Sequence, residues 1–87
     1  MARVELYTTA SCPYCVRAKR LLQARGIPYE EIDVGGDPEL RAEIMARSGG
    51  RQTVPQIFID GEPIGGFDEL SALDAAGELA ELTGPVQ

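Results

Sequence analysis

The sequence predicts an α/β fold: a four-stranded mixed sheet in the order β-α-β-α-β-β-α, with helices on both faces. Three observations predict it. Short apolar runs alternate with segments of helical spacing along the first half of the chain. A β-α-β crossover there makes the first two strands parallel, with a right-handed connection. Near the C-terminal end, Asp60-Gly61 stands between two short runs, a hairpin signal that makes the last pair antiparallel.

The elements follow in order. Val4 to Thr8 reads as a buried strand. Pro13 to Arg25 reads as a helix, with Tyr14, Ala18, Leu21 and Leu22 at helical spacing and Gly26 as its stop. Tyr29 to Val34 alternates as a second strand, and Gly35-Gly36 turns the chain. Asp37-Pro38 opens the next helix, Asp as cap and Pro in the first turn; Leu40, Ile44 and Met45 form its apolar stripe, and Ser48-Gly49-Gly50 ends it. Gln56 to Asp60 and Glu62 to Gly65 are the hairpin strands. Asp68 is expected to cap a last helix with Leu70 and Leu73 inward, broken by Gly77 before Leu79 and Leu82, and Gly84-Pro85 starts a frayed tail.

Composition bounds the class. Eighty-seven residues with 44% hydrophobic content suit one domain, residues 1–87, with one modest core. Met1 to Glu5 holds no apolar run of signal length, and no stretch approaches the length of a membrane span, so a cytoplasmic protein away from the membrane is expected. The net charge of −6 is uneven: all eight cations lie in residues 1–51, while residues 52–87 carry seven acids and no cation. No basic stripe pairs with exposed aromatics, which argues against nucleic-acid binding. A small anionic ligand would find its cations only on the N-terminal half.

Cys12-Pro13-Tyr14-Cys15 carries the chemistry. A C-x-x-C at a strand–helix junction beside a β-α-β pattern reads as a redox pair, and a closed zinc site would want four Cys or His ligands where this chain has two Cys and no His. Pro13 suits the first helical position, which makes Cys12 the cap residue at the positive end of the helix. The thiolate is the nucleophile, and a free cysteine titrates near 8.5. Each unit of depression needs about 1.36 kcal/mol. A helix terminus supplies about 0.3–1 kcal/mol, up to ~2 when partly buried. Hydrogen bonds to the sulfur from the Tyr14 and Cys15 amides and the Cys15 thiol are expected to add the rest. Arg17 and Lys19 are near in sequence, though Lys19 and Arg20 read better as a solvated helix face. Cys12, at the tip, should attack; Cys15, nearly one turn inside, should resolve the mixed disulfide.

Four segments together resemble the dithiol glutaredoxins of bacterial type: Tyr7-Thr8, the C-P-Y-C run, Thr53-Val54-Pro55-Gln56-Ile57-Phe58-Ile59, and Gly65-Gly66-Phe67-Asp68-Glu69-Leu70. The likeness runs from residue 3 to about residue 76. It implies a thioredoxin-like fold and a glutathione-dependent oxidoreductase that acts on protein disulfides and on protein–glutathione mixed disulfides, with ribonucleotide reductase a possible acceptor. It implies that Pro55 follows a cis peptide bond. Glutathione would pair its extended backbone with Thr53-Val54-Pro55. Its γ-glutamyl carboxylate would meet the amides of Gly66-Phe67-Asp68, and its ammonium the Asp68 carboxylate. The Tyr14 ring would cover the disulfide. Arg41, or alternatively Arg51, would hold the glycine carboxylate. Many members carry Lys three residues before the first cysteine; Thr9 stands there, so weaker glutathione binding or a less acidic Cys12 is expected.

Two other functions remain open at this point. A similar redoxin can be reduced by thioredoxin reductase, but such proteins lack the T-V-P and G-G-x-D residues kept here. An iron–sulfur carrier could hold a cluster between two copies through Cys12 and two glutathiones, but carriers of this fold generally have C-G-F-S, and Pro13 and Tyr14 crowd that geometry. No resident metal is expected, and a monomer is.

Overall fold

The computed structural model describes residues 3–50 and 53–83. Its elements are β1 (Val4–Thr8), α1 (Pro13–Ala24), β2 (Glu30–Asp33), α2 (Pro38–Arg47), β3 (Gln56–Ile59), β4 (Glu62–Gly65), α3 (Phe67–Ala75) and α4 (Glu78–Thr83). The sheet order is β2-β1-β3-β4. β1 runs parallel to β2 and antiparallel to β3, and β3 pairs antiparallel with β4. This is the mixed sheet the sequence predicts.

The two faces follow from the period of the strands. Val4 and Leu6 pair with Ile59 and Ile57, and all four join Ala18 and Leu22 of α1, Leu70 of α3 and Leu79 of α4 in one core. The alternate residues Tyr7 and Phe58 face the other way, with Val34 and with Ile44 of α2. Their rings meet edge-on at 5.5 Å, an arrangement aromatic pairs prefer. Helices therefore cover both faces. β3 is buried along its whole length, as a strand covered on both faces must be.

Local chemistry sets the ends. Asp37 caps α2 by accepting from the Leu40 amide at 3.0 Å, with Pro38 next. Asp60 and Gly61 both take positive φ, 52° and 82°, the demand of the tight hairpin turn. Gly77, at φ 76°, breaks the last helical stretch into α3 and α4.

One expectation is corrected. Asp68 does not cap α3: the cap position is Gly66, and Asp68 sits inside the first turn. Glycine has no side chain to offer, so the carboxylate of Glu69 reaches back and accepts from the Gly66 amide at 2.8 Å. Arg51 and the Gly84-Pro85 tail lie outside the described residues. Among the described residues no helix is long and apolar enough to cross a membrane.

Candidate active site

The end of β1 delivers the thiols. After Thr8 the chain turns through Thr9-Ala10-Ser11 and enters α1 with Cys12 at its cap position and Pro13 first inside. Both cysteines are free. Cys12 is half-buried, whereas Cys15 is only 1% exposed. Burial, the largest cause, pushes the Cys15 thiol up to about 11; a backbone hydrogen bond with Thr9 and the charge of Lys19 pull it down, and the Cys12 contact raises it further. The outer cysteine is thus the more exposed of the two, and the inner one is buried and held as a thiol. That is the asymmetry the spacing predicts.

The hydrogen bonding of Cys12 differs from expectation. Its sulfur accepts no capping bond from the α1 amides. Its thiol instead donates to the Val54 carbonyl oxygen at 3.5 Å. A protonated thiol is a donor and turns toward an acceptor, whereas the expected pattern is that of the anion. Val54 is brought there by the segment before β3, and the Val54–Pro55 peptide is cis, as the resemblance implies.

A cavity of about 370 Å³ opens beside this contact. Tyr14, Thr53, Val54, Pro55, Gly66, Phe67 and Asp68 line it, together with Glu69. These are all of the residues expected to contact glutathione except the cation. The Tyr14 and Phe67 rings lie 6.5 Å apart, joining the starts of α1 and α3 across the hollow. Tyr14 is 50% exposed, so its ring is a surface for a ligand rather than part of the core. The Arg17 guanidinium carbon sits 5.2 Å from the centre of that ring.

Arg41 lies elsewhere. It is half-buried on α2 and lines a second hollow of about 490 Å³ with Thr9, Ala10, Ser11, Asp33, Gly35 and Gly36. Thr9 thus faces the same hollow as Arg41. Glu69 was missed in the sequence, although a Glu three residues after a cap position is a known helix-start signal. Lys19 does not run along a solvated face; its ammonium is 3.0 Å from Glu31 on β2.

The glutaredoxin family model matches residues 4–64. Over 82 residues the chain is 54% identical to glutaredoxin 3 of Escherichia coli strain K12, covering 94% of this chain and 98% of that protein. It is 55% identical to a glutaredoxin of Pseudomonas aeruginosa strain PAO1, covering 94% of this chain and 96% of that one. The solution structure of a Brucella melitensis glutaredoxin superposes with a TM-score of 0.84 at 51% identity, over 95% of this chain and 89% of that one. A buckwheat glutaredoxin–glutathione complex gives 0.86 at 27% identity, over 94% and 76%. With its dithiol turn at the head of α1, the chain belongs to the glutaredoxin family of glutathione-dependent thiol–disulfide oxidoreductases.

Proposed function

We propose that Cys12 is the attacking thiolate and Cys15 the resolving thiol, with glutathione as the reductant seated across the Cys12 turn. The observation that carries this reading is the contact of the Cys12 sulfur with Val54, a wall residue of the 370 Å³ cavity. A ligand lying along Thr53 to Pro55 presents its own sulfur to Cys12. The γ-glutamyl head then falls at the start of α3. Gly66 N–H already serves Glu69, so the carboxylate is left the Phe67 and Asp68 amides, while Asp68 takes the ammonium. The glycine carboxylate falls toward Arg41 on the opposite flank. The complex of the buckwheat relative with glutathione supports this choice of ligand.

On a protein–glutathione mixed disulfide, the Cys12 thiolate attacks the glutathione sulfur and the protein leaves as a thiol. A second glutathione then attacks the Cys12-bound one, releasing glutathione disulfide and restoring Cys12. On a protein disulfide, Cys12 attacks one sulfur, Cys15 displaces the substrate from Cys12, and the resulting Cys12–Cys15 disulfide is reduced by two glutathiones. Glutaredoxin potentials of about −200 to −230 mV allow glutathione to drive this. The proposed acceptors are disulfide-bearing or glutathionylated proteins, ribonucleotide reductase among them on the resemblance alone, met by a monomer in the cytoplasm.

The test compares Cys15→Ser with the unaltered protein. The variant is expected to keep its reduction of a glutathionylated small thiol and to lose its reduction of a protein disulfide. Loss of both, or of neither, overturns the assignment of roles.

A further inference from the structure

We infer that Lys19, tethered by Glu31 and Thr8, is a positioning residue for the resolving sulfur: its ammonium stabilises the Cys15 thiolate as that sulfur attacks, or is released from, Cys12. The inference rests on Cys15 being the resolving thiol.

Cys15 and Lys19 lie one turn apart on α1, and a helical side chain leans back over the turn N-terminal to its own position. Lys19 therefore covers the turn that holds Cys15. Its side chain is 29% exposed and does not run out into water. The Nζ atom is 3.0 Å from Glu31 Oε2, and the same oxygen accepts from Thr8 Oγ1 at 2.9 Å. Glu31 is in register with Leu6, so its side chain falls on the sheet face that α1 covers. Thr8, on β1, is 2% exposed. Three elements thus fix one ammonium a single helical turn from a buried thiol. The charged and titratable groups that bear on Cys15 are Cys12 and Lys19, and those that hold Lys19 cationic are Glu31 first, then Tyr29 and Cys15. An ion pair of this exposure contributes little to stability, so the consequence of the tether is electrostatic, at the sulfur.

Both directions of the dithiol step place charge there. In resolution the Cys15 thiol gives its proton to water. Its sulfur anion attacks Cys12, the Cys12–substrate S–S bond breaks, and the substrate thiolate leaves and takes up a proton. In reduction a glutathione thiolate attacks Cys12, and Cys15 leaves as the thiolate. Removing the cation lowers the thiolate fraction about tenfold per pK unit, and the greater nucleophilicity of the more basic sulfur returns about threefold. The net slowing at neutral pH is about threefold per unit.

The test uses Lys19→Gln, which keeps a hydrogen-bond donor for Glu31 and removes only the charge, with Lys19→Met as a second variant should the first misfold. In a Cys12→Ser background, the ultraviolet thiolate absorbance of Cys15 is titrated. Lys19→Gln is expected to move the midpoint up, Lys19→Arg to restore it, and Arg20→Met, a neighbouring exposed cation, to leave it in place. With both cysteines present, Lys19→Gln slows reduction of a protein disulfide at neutral pH by about threefold for each unit the Cys15 midpoint moves, and the gap closes as pH rises. A midpoint that Lys19→Gln leaves in place, or that Arg20→Met moves equally, overturns the inference. Failure of the resolving role itself shows separately, as full protein-disulfide reduction by Cys15→Ser.

Discussion

Two hollows flank the Cys12 turn, and they are made differently. The one beside α3 is built mainly from backbone and rings: Thr53 to Pro55 on one wall, the start of α3 on the other, and Tyr14 against Phe67 between. The one beside α2 is larger and depends on one cation, Arg41, which shares it with the Asp33 carboxylate. Asp33 is itself tied locally, accepting from the Gly35 amide at 2.8 Å. On the proposed reading, the first hollow would offer an extended ligand shape, the amides at the start of α3 and the Asp68 carboxylate. The second offers attraction for a single carboxylate, diluted by an acid in the same space. Recognition should therefore be concentrated on the α3 flank, and the α2 flank should be where affinity is adjusted.

The sharpest way to break that comparison is at Asp68. Asp68→Asn keeps the size of the side chain and removes the charge that would meet the ligand ammonium. A hydrogen bond to a charged group contributes about 1.5–3 kcal/mol. Asp68 is exposed, which places it at the low end. The KM for glutathione is expected to rise about tenfold, with little change in the rate at saturation, in a steady-state assay on a small glutathionylated substrate. An unchanged KM would mean that the head group does not bind at α3.

A smaller effect is expected across the turn. Arg41→Gln should raise the same KM about two- to fivefold, the range of an exposed ion pair worth up to about 1 kcal/mol. Thr9→Lys, which adds a second cation to the hollow that Arg41 lines, should lower it by a similar factor. If Arg41→Gln outweighs Asp68→Asn, the ranking of the two flanks is reversed.

These differences mark what could be read from the sequence. The strands are legible because short apolar runs bounded by turn residues are a local signal: Val4 to Thr8 reads as a buried strand, and Asp60-Gly61 marks the hairpin. The α3 hollow was legible because its walls are short contiguous motifs. The start of α3 is not legible at Gly66 because its capping atom does not belong to the cap residue; it comes from Glu69, while Gly66 has no side chain to show. The α2 hollow could not be read, since it is assembled from the Thr9 to Ser11 turn, the end of β2, Gly35-Gly36 and α2. Lys19 reads from the sequence as part of a solvated face for the same reason. Its partner Glu31 lies on another element, and only the register of β2 on β1 brings the two together.

The least effect, and the one that asks whether the α3 flank is truly a rigid frame, concerns its brace. At the far end of α1, Arg25 grips Asp74 of α3 with two hydrogen bonds of 2.8 Å each. The Arg25 guanidinium holds the Asp74 carboxyl below its usual value of 3.8, chiefly through the hydrogen bond. A depressed folded-state value means that the contribution is fully present above about pH 4 and is lost as pH falls through the folded value. The pair is exposed to solvent screening, so Arg25→Gln should lower Tm by only a few degrees at neutral pH, and that gap should close in acid. A gap that persists unchanged in acid would assign the loss to packing of the Arg25 stem instead of its charge. The KM for glutathione separates two further possibilities. If it stays put while Tm falls, the Thr53 to Pro55 wall and the Glu69 cap are enough to hold the start of α3. If it rises with the loss of the brace, the α3 flank takes its shape from a contact at the opposite end of the helix.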